Sequence, residues 1–152
     1  MTTFAVQCVV AFAATVAFAA LFHVPRAQYA FCGIVGAAGW ECYLAAIRLG
    51  ATATMASFFA VLVLALLSRA FSALRRCPST VFLICGIFPL VPGAGIYYTA
   101  YYFIMGDEAL CTQNGALTFR IAVAISLGIV LVMALPAGMF NVLNPERRRQ
   151  KQ

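Results

Sequence analysis

Five stretches of this chain are apolar for long enough to cross a lipid bilayer, which constrains it to an all-α, polytopic bundle of transmembrane helices. They run over residues 4–24, 29–47, 51–67, 81–105 and 121–140. A spanning helix needs about 20 mostly apolar residues to cross a hydrocarbon core of about 30 Å. The third stretch is the shortest and the second contains Glu41, so four spans is the competing count. Composition agrees: 64% of the residues are apolar and 9% are charged, with a mean hydropathy of +0.98, where a soluble domain carries about 25% charged residues. At 152 residues a single domain, 1–152, is expected.

The ten Lys and Arg residues test the span count, because short basic loops stay in the cytoplasm. Five spans gather Arg26, Arg69, Arg75, Arg76, Arg147, Arg148, Arg149 and Lys151 on one side and leave Arg48 and Arg120 on the other. This places the C-terminus in the cytoplasm and the N-terminus outside. Asp107 and Glu108 then fall outside as well. The first stretch has no basic residue before it, the first positive residue being Arg26, so it reads as a retained helix and not a signal peptide. The basic tail, 144–152, sits beside a membrane exit, where orientation and anionic lipid explain it without nucleic acid.

Metal and nucleophile chemistry find little support. Cys8, Cys32, Cys42, Cys77, Cys85 and Cys111 show no CxxC spacing and read as small packing residues. The single histidine, His23, has no partner set for a zinc or nucleophile site. Paired carboxylates within the spans are absent, so an intramembrane enzyme is disfavoured, and neither catalytic residues nor cofactors are expected.

Small residues mark the helix contacts. Gly33, Gly36 and Gly39 recur at a spacing of three in the second stretch, and small stripes let helices approach closely in lipid, where no hydrophobic drive brings them together. The third stretch opens on Ala and Thr and turns bulky from Phe58. Residues 68–80, with three arginines and Pro78, read as a short cytoplasmic loop, and the polar residues 106–118 as an external turn.

The most informative segment is FPLVPGAGIYY, residues 88–98, set in an uncharged run. Pro89, Pro92, Gly93 and Gly95 cannot continue an unbroken helix, because each proline removes a donor and clashes with the preceding turn. Freed backbone groups in hydrocarbon cost several kcal/mol unless protein or water satisfies them, so the break should face the bundle interior or a cavity. Transporters bind polar solutes at such broken helices; a kink that shapes packing is the alternative.

Depth brings other residues into play. At about 1.5 Å per residue, Glu41 lies about 18 Å into the second helix and residues 89–95 about 12 to 21 Å into the fourth. A carboxylate at that level commonly serves an ion or proton path; the alternative is a structural Glu beside Trp40. Arg48, seven residues beyond Glu41, shares its face. Arg48 and Arg120 fall at the outer rim, where they would hold an anionic group or snorkel to water. Of Tyr97, Tyr98, Tyr101 and Tyr102, most read as an interfacial belt, and Tyr97 as a cavity residue.

These residues resemble the threonine/serine exporter family, in the short form that corresponds to the C-terminal half of the longer exporters. The matching blocks are Pro25-Arg26, the segment GIVGAAGW at 33–40, PSTVF at 78–82 and residues 88–97, of which PLVPGAGIY is the most specific. The resemblance covers residues 25–138. It implies export of small polar metabolites, threonine, serine or a dicarboxylate such as succinate, across the cytoplasmic (inner) membrane of a prokaryote, driven by the proton gradient. It also implies a hetero-oligomer, whose second multi-span subunit resembles the N-terminal half of the exporter. An odd span count independently suits such pairing, since two fused halves would then be inverted. The competing reading is a non-transporting membrane scaffold or anchor subunit.

Overall fold

The computed structural model describes residues 2–136 as six α-helices, with no strand among those residues: α1 (Thr2–Leu21), α2 (Tyr29–Arg48), α3 (Ala53–Arg75), α4 (Ser79–Ile87), α5 (Gly93–Met105) and α6 (Glu108–Ala134). Four of them, α1, α2, α3 and α6, are long and apolar enough to cross a membrane. The pair α4 and α5 passes the same test as one bent span. The basic tail, 144–152, and the end of the fifth apolar stretch lie outside the described residues.

The core forms where α2, α3 and α4 meet, around the fully buried Cys32, Val35, Val61, Leu64, Phe82 and Cys85. Glycines set how closely the helices approach. A Cβ on Gly33 would lie 2.5 Å from the Phe12 ring, and one on Gly36 would overlap Thr15, so both face α1; Gly39 turns instead to Leu64, at 3.1 Å. Thr15 keeps its hydroxyl satisfied within α1 by donating to the Ala11 carbonyl at 2.8 Å, and the same oxygen is the atom that comes nearest to Gly36. The small stripe read from the sequence therefore serves two neighbours at once, α1 and α3.

Three expectations change. The third helix is not the shortest: it continues through 68–75, shrinking the loop expected over 68–80 to a few residues after Arg75. Ser68 donates back to the Leu64 carbonyl at 2.8 Å, Arg75 donates to Gln28 Oε1 at 3.2 Å and covers the Phe31 ring at 4.7 Å, and Arg76 ends the helix in a left-handed conformation. The turn expected over 106–118 contracts to Gly106 and Asp107. Gly106 caps α5 at a positive φ of 75°, the N–H of Asp107 returns to the Tyr102 carbonyl, and the Asp107 carboxylate accepts the Leu110 N–H at 3.0 Å to start α6. The first helix stops at Leu21, before His23, whose φ is 55°.

Helices α3 and α6 run parallel. Gly128 sits against Val61 and the Phe58 carbonyl, and Arg69 meets residues 132–135, so position increases along both together. A re-entrant α4–α5 loop would return the chain to its starting side and make α6 antiparallel to α3. The register thus matches a bent pair that crosses completely, the higher of the four or five spans that the described residues allow.

Arg69 fastens this pair. One guanidinium nitrogen donates to the Val132 carbonyl at 2.6 Å, to Leu135 at 2.7 Å and to Met133 at 3.3 Å. These carbonyls lie at the end of α6, where acceptors run short of intrahelical donors, although Val132 also accepts the Leu135 N–H at 3.2 Å, and a cation there complements the helix dipole. Arg69→Leu removes these charge-assisted bonds, and about 2 kcal/mol of stability should be lost. Arg69→Lys keeps the charge without the fork and should lose less. Thermal unfolding in detergent checks both; equal losses in the two variants would refute the carbonyl-capping account.

Candidate functional site

The break in the fourth span has a definite local cause. Pro89 has no N–H to give α4, and the chain tightens into a 3-10 turn over Phe88–Leu90. Val91 precedes Pro92, which disfavours helical geometry for it, and it is extended at φ −62° and ψ 128°. The N–H of Val91 returns to the Phe88 carbonyl at 3.2 Å, that of Gly93 to Val91 at 2.8 Å, and that of Ile96 to Pro92 at 3.1 Å. Ala94 and Gly95, between these, are first-turn donors of α5, beyond reach of any carbonyl of their own helix. Across the break the axis turns by 52°.

That turn swings α5 away from α1, α2 and α3. Helix α5 buries none of its residues and packs on α6, with Gly95 against Thr118 and Gly115 against Thr99. Gly93 is exposed, and a Cβ built on it meets no heavy atom within 4 Å. The space vacated is a notch of about 260 Å³ between α1, α2 and the break, bordered by Gln7, Ala14, Phe18, Trp40, Phe88 and Pro89. Phe18 and Phe88 stack at 4.0 Å with planes 15° apart, and Phe22 joins them at 5.4 Å from Phe88. The rings close the notch toward the basic end of the bundle, where Arg26, Arg75 and Arg76 lie.

The sequence-derived residues divide around this feature. Pro89 borders the notch, Leu90 is buried, and Pro92 and Gly95 are half-buried on the bend. Glu41 shares the level of the break but not its side. Helix α2 meets α4 through Val35, which packs on Gly86, whereas Glu41 lies on the face of Ile34, 45% exposed, and of Arg48, whose guanidinium sits 4.6 Å from the centroid of the Phe4 ring of α1. Both Glu41 carboxylate oxygens are shielded from solvent and have no hydrogen-bond partner. Arg120 is exposed, eight residues before the contact of Gly128 with Val61, level with the start of α3. Tyr97 is not enclosed: it is 63% exposed and stacks on Tyr101 at 6.3 Å, in a ladder with Tyr98 and Tyr102.

Sequence reasoning passed over Gln7 and Phe18, took Phe88 only as the start of the segment 88–98, and gave Trp40 only a place beside Glu41. One signal was available for Gln7, an amide side chain inside an otherwise apolar first stretch. Its Oε1, like the Glu41 oxygens, is buried without a partner.

A family model described as Threonine/Serine exporter, ThrE, matches residues 7–135. The match takes in the break and begins well before the residue 25 expected from sequence blocks, so it includes most of α1. No curated protein and no solved structure matches the chain.

Proposed function

The chain belongs to the threonine/serine exporter family, and from that premise we propose that it is a membrane subunit of a secondary exporter whose solute passes at the break in the fourth span. Members of this family are transporters and not enzymes. The observation that carries the reading is the 52° bend at residues 89–95, with its open Gly93 and adjoining notch. First-turn donors at that depth need water, solute or protein, and Pro89, Pro92, Gly93 and Gly95 provide the opening.

The solute is a small polar or anionic metabolite, threonine, serine or a dicarboxylate such as succinate, and the proton gradient drives it outward. Glu41, an unpartnered carboxylate among apolar helices, is the proton-handling group. Arg48 and Arg120 draw the solute's anionic end at the outer rim, and Tyr97 lines the approach along α5. The protein sits in the cytoplasmic membrane of a prokaryote, N-terminus outside and C-terminus inside. A second multi-span subunit resembling the N-terminal half covers the open side of α5, which this chain leaves bare.

That bare face also suits a non-transporting anchor subunit, and one experiment separates the two. Pro89→Leu combined with Pro92→Leu restores the donors and straightens the span. Transport predicts at least a tenfold fall in export of labelled threonine, serine and succinate from cells at unchanged membrane level; an anchor predicts no fall, and that result would retire the transport reading.

A further inference from the structure

We propose that the notch between α1 and the break is a solute-binding pocket, in which Gln7 supplies the hydrogen bond and Trp40 and Phe88 the walls. This rests on reading the break as the transport path, and adds the residues and the chemistry of the ligand. The notch of about 260 Å³ would admit a molecule of a few heavy atoms and exclude a peptide. Its border is apolar and aromatic, Ala14, Phe18, Trp40, Phe88 and Pro89, with Gln7 as the polar side chain among those six.

Gln7 Oε1 has no hydrogen-bond partner and is shielded from solvent. A buried carbonyl oxygen left unmade costs about 1 to 3 kcal/mol, so an amide held this way gains from a ligand that donates to it. The terminal torsion of glutamine is broad, and in this proposal it turns the oxygen toward a ligand in the notch that Gln7 lines. The preferred ligand therefore carries an ammonium or hydroxyl donor on a short apolar frame. The face of Trp40 suits the cationic end of such a molecule. Succinate, which at neutral pH has no donor, gains nothing from this oxygen.

The test measures export from cells as a function of internal solute concentration, with membrane level checked for each variant. Gln7→Leu should raise the half-saturating threonine or serine concentration at least tenfold. Gln7→Asn, which keeps the amide, should raise it less. Ala14→Phe, which fills the notch, should suppress export of every solute. If Gln7→Leu and Ala14→Phe both export like the wild type while Gly93→Leu does not, the pocket is wrong and the path at the break stands. If Gly93→Leu also exports normally, the path itself is wrong. Should either notch variant fail to accumulate, the wild type decides, because Trp40 is the single tryptophan of the chain. Titrating the purified protein with threonine should change its fluorescence saturably, and more than succinate does; a flat threonine titration overturns the proposal.

Discussion

Gly93→Leu is expected to lower export at least tenfold while the protein inserts and unfolds like the wild type. The separation of the two effects is what the geometry supplies. No heavy atom lies within 4 Å of the position a Cβ would take, and the backbone there is not left-handed, so the fold accepts a side chain at that point. Leucine would nevertheless project from the exposed mouth of the break, beside the unpaired N–H groups of Ala94 and Gly95. A tenfold fall corresponds to about 1.4 kcal/mol on the rate-limiting barrier, a modest demand for an obstruction at a narrow path. Initial export rates of labelled threonine, serine or succinate, normalised to membrane-inserted protein, give the answer. Rates equal to wild type would remove residues 89–95 from the mechanism.

Gly36→Leu should have the opposite signature, a stability loss of about 3 kcal/mol, toward the upper end for overpacked sites. A Cβ there would stand 2.8 Å from Thr15 Cβ and 2.9 Å from its Cγ2, and still closer to its hydroxyl oxygen. Neither partner can yield easily. The Thr15 hydroxyl is held by Ala11, and both residues are buried. A cycle checks the pairing: Thr15→Gly should recover much of what Gly36→Ala costs, because the methyl then has room. Unfolding in detergent that shows additive losses would mean that the two residues do not share a contact.

Much of the architecture was legible because membrane helices are written in long local runs. Pro89 and Pro92 announced the break without reference to anything outside the segment, since a missing N–H acts on its own turn. What escaped was set by distant partners. Arg69 reads from the sequence as part of the loop 68–80, yet its partners are carbonyls 63 to 66 residues away, and α3 runs on to Arg75. Gln113 and Asn114 looked like a turn, but Gly106 and Asp107 complete that turn between them, and Asn114 donates to the Leu110 carbonyl within α6. For Glu41, counting residues gave its level. Its side depends on which face of α2 meets α4, and Val35 against Gly86 decides that. Tyr97 was assigned to an enclosure that the bend opens instead.

The Arg69 clasp makes α6 a lever. At 1.5 Å per residue its 27 residues form a rod about 40 Å long, pinned near one tip by three carbonyls. A swing of about 10° at that pivot carries the far tip roughly 7 Å, and the tip takes α5 with it through the interlocked Thr99, Gly115, Gly95 and Thr118. Any rotation at the arginine end would thus be magnified at the tyrosine ladder, to the extent that the seating of Gly128 on Val61 allows it.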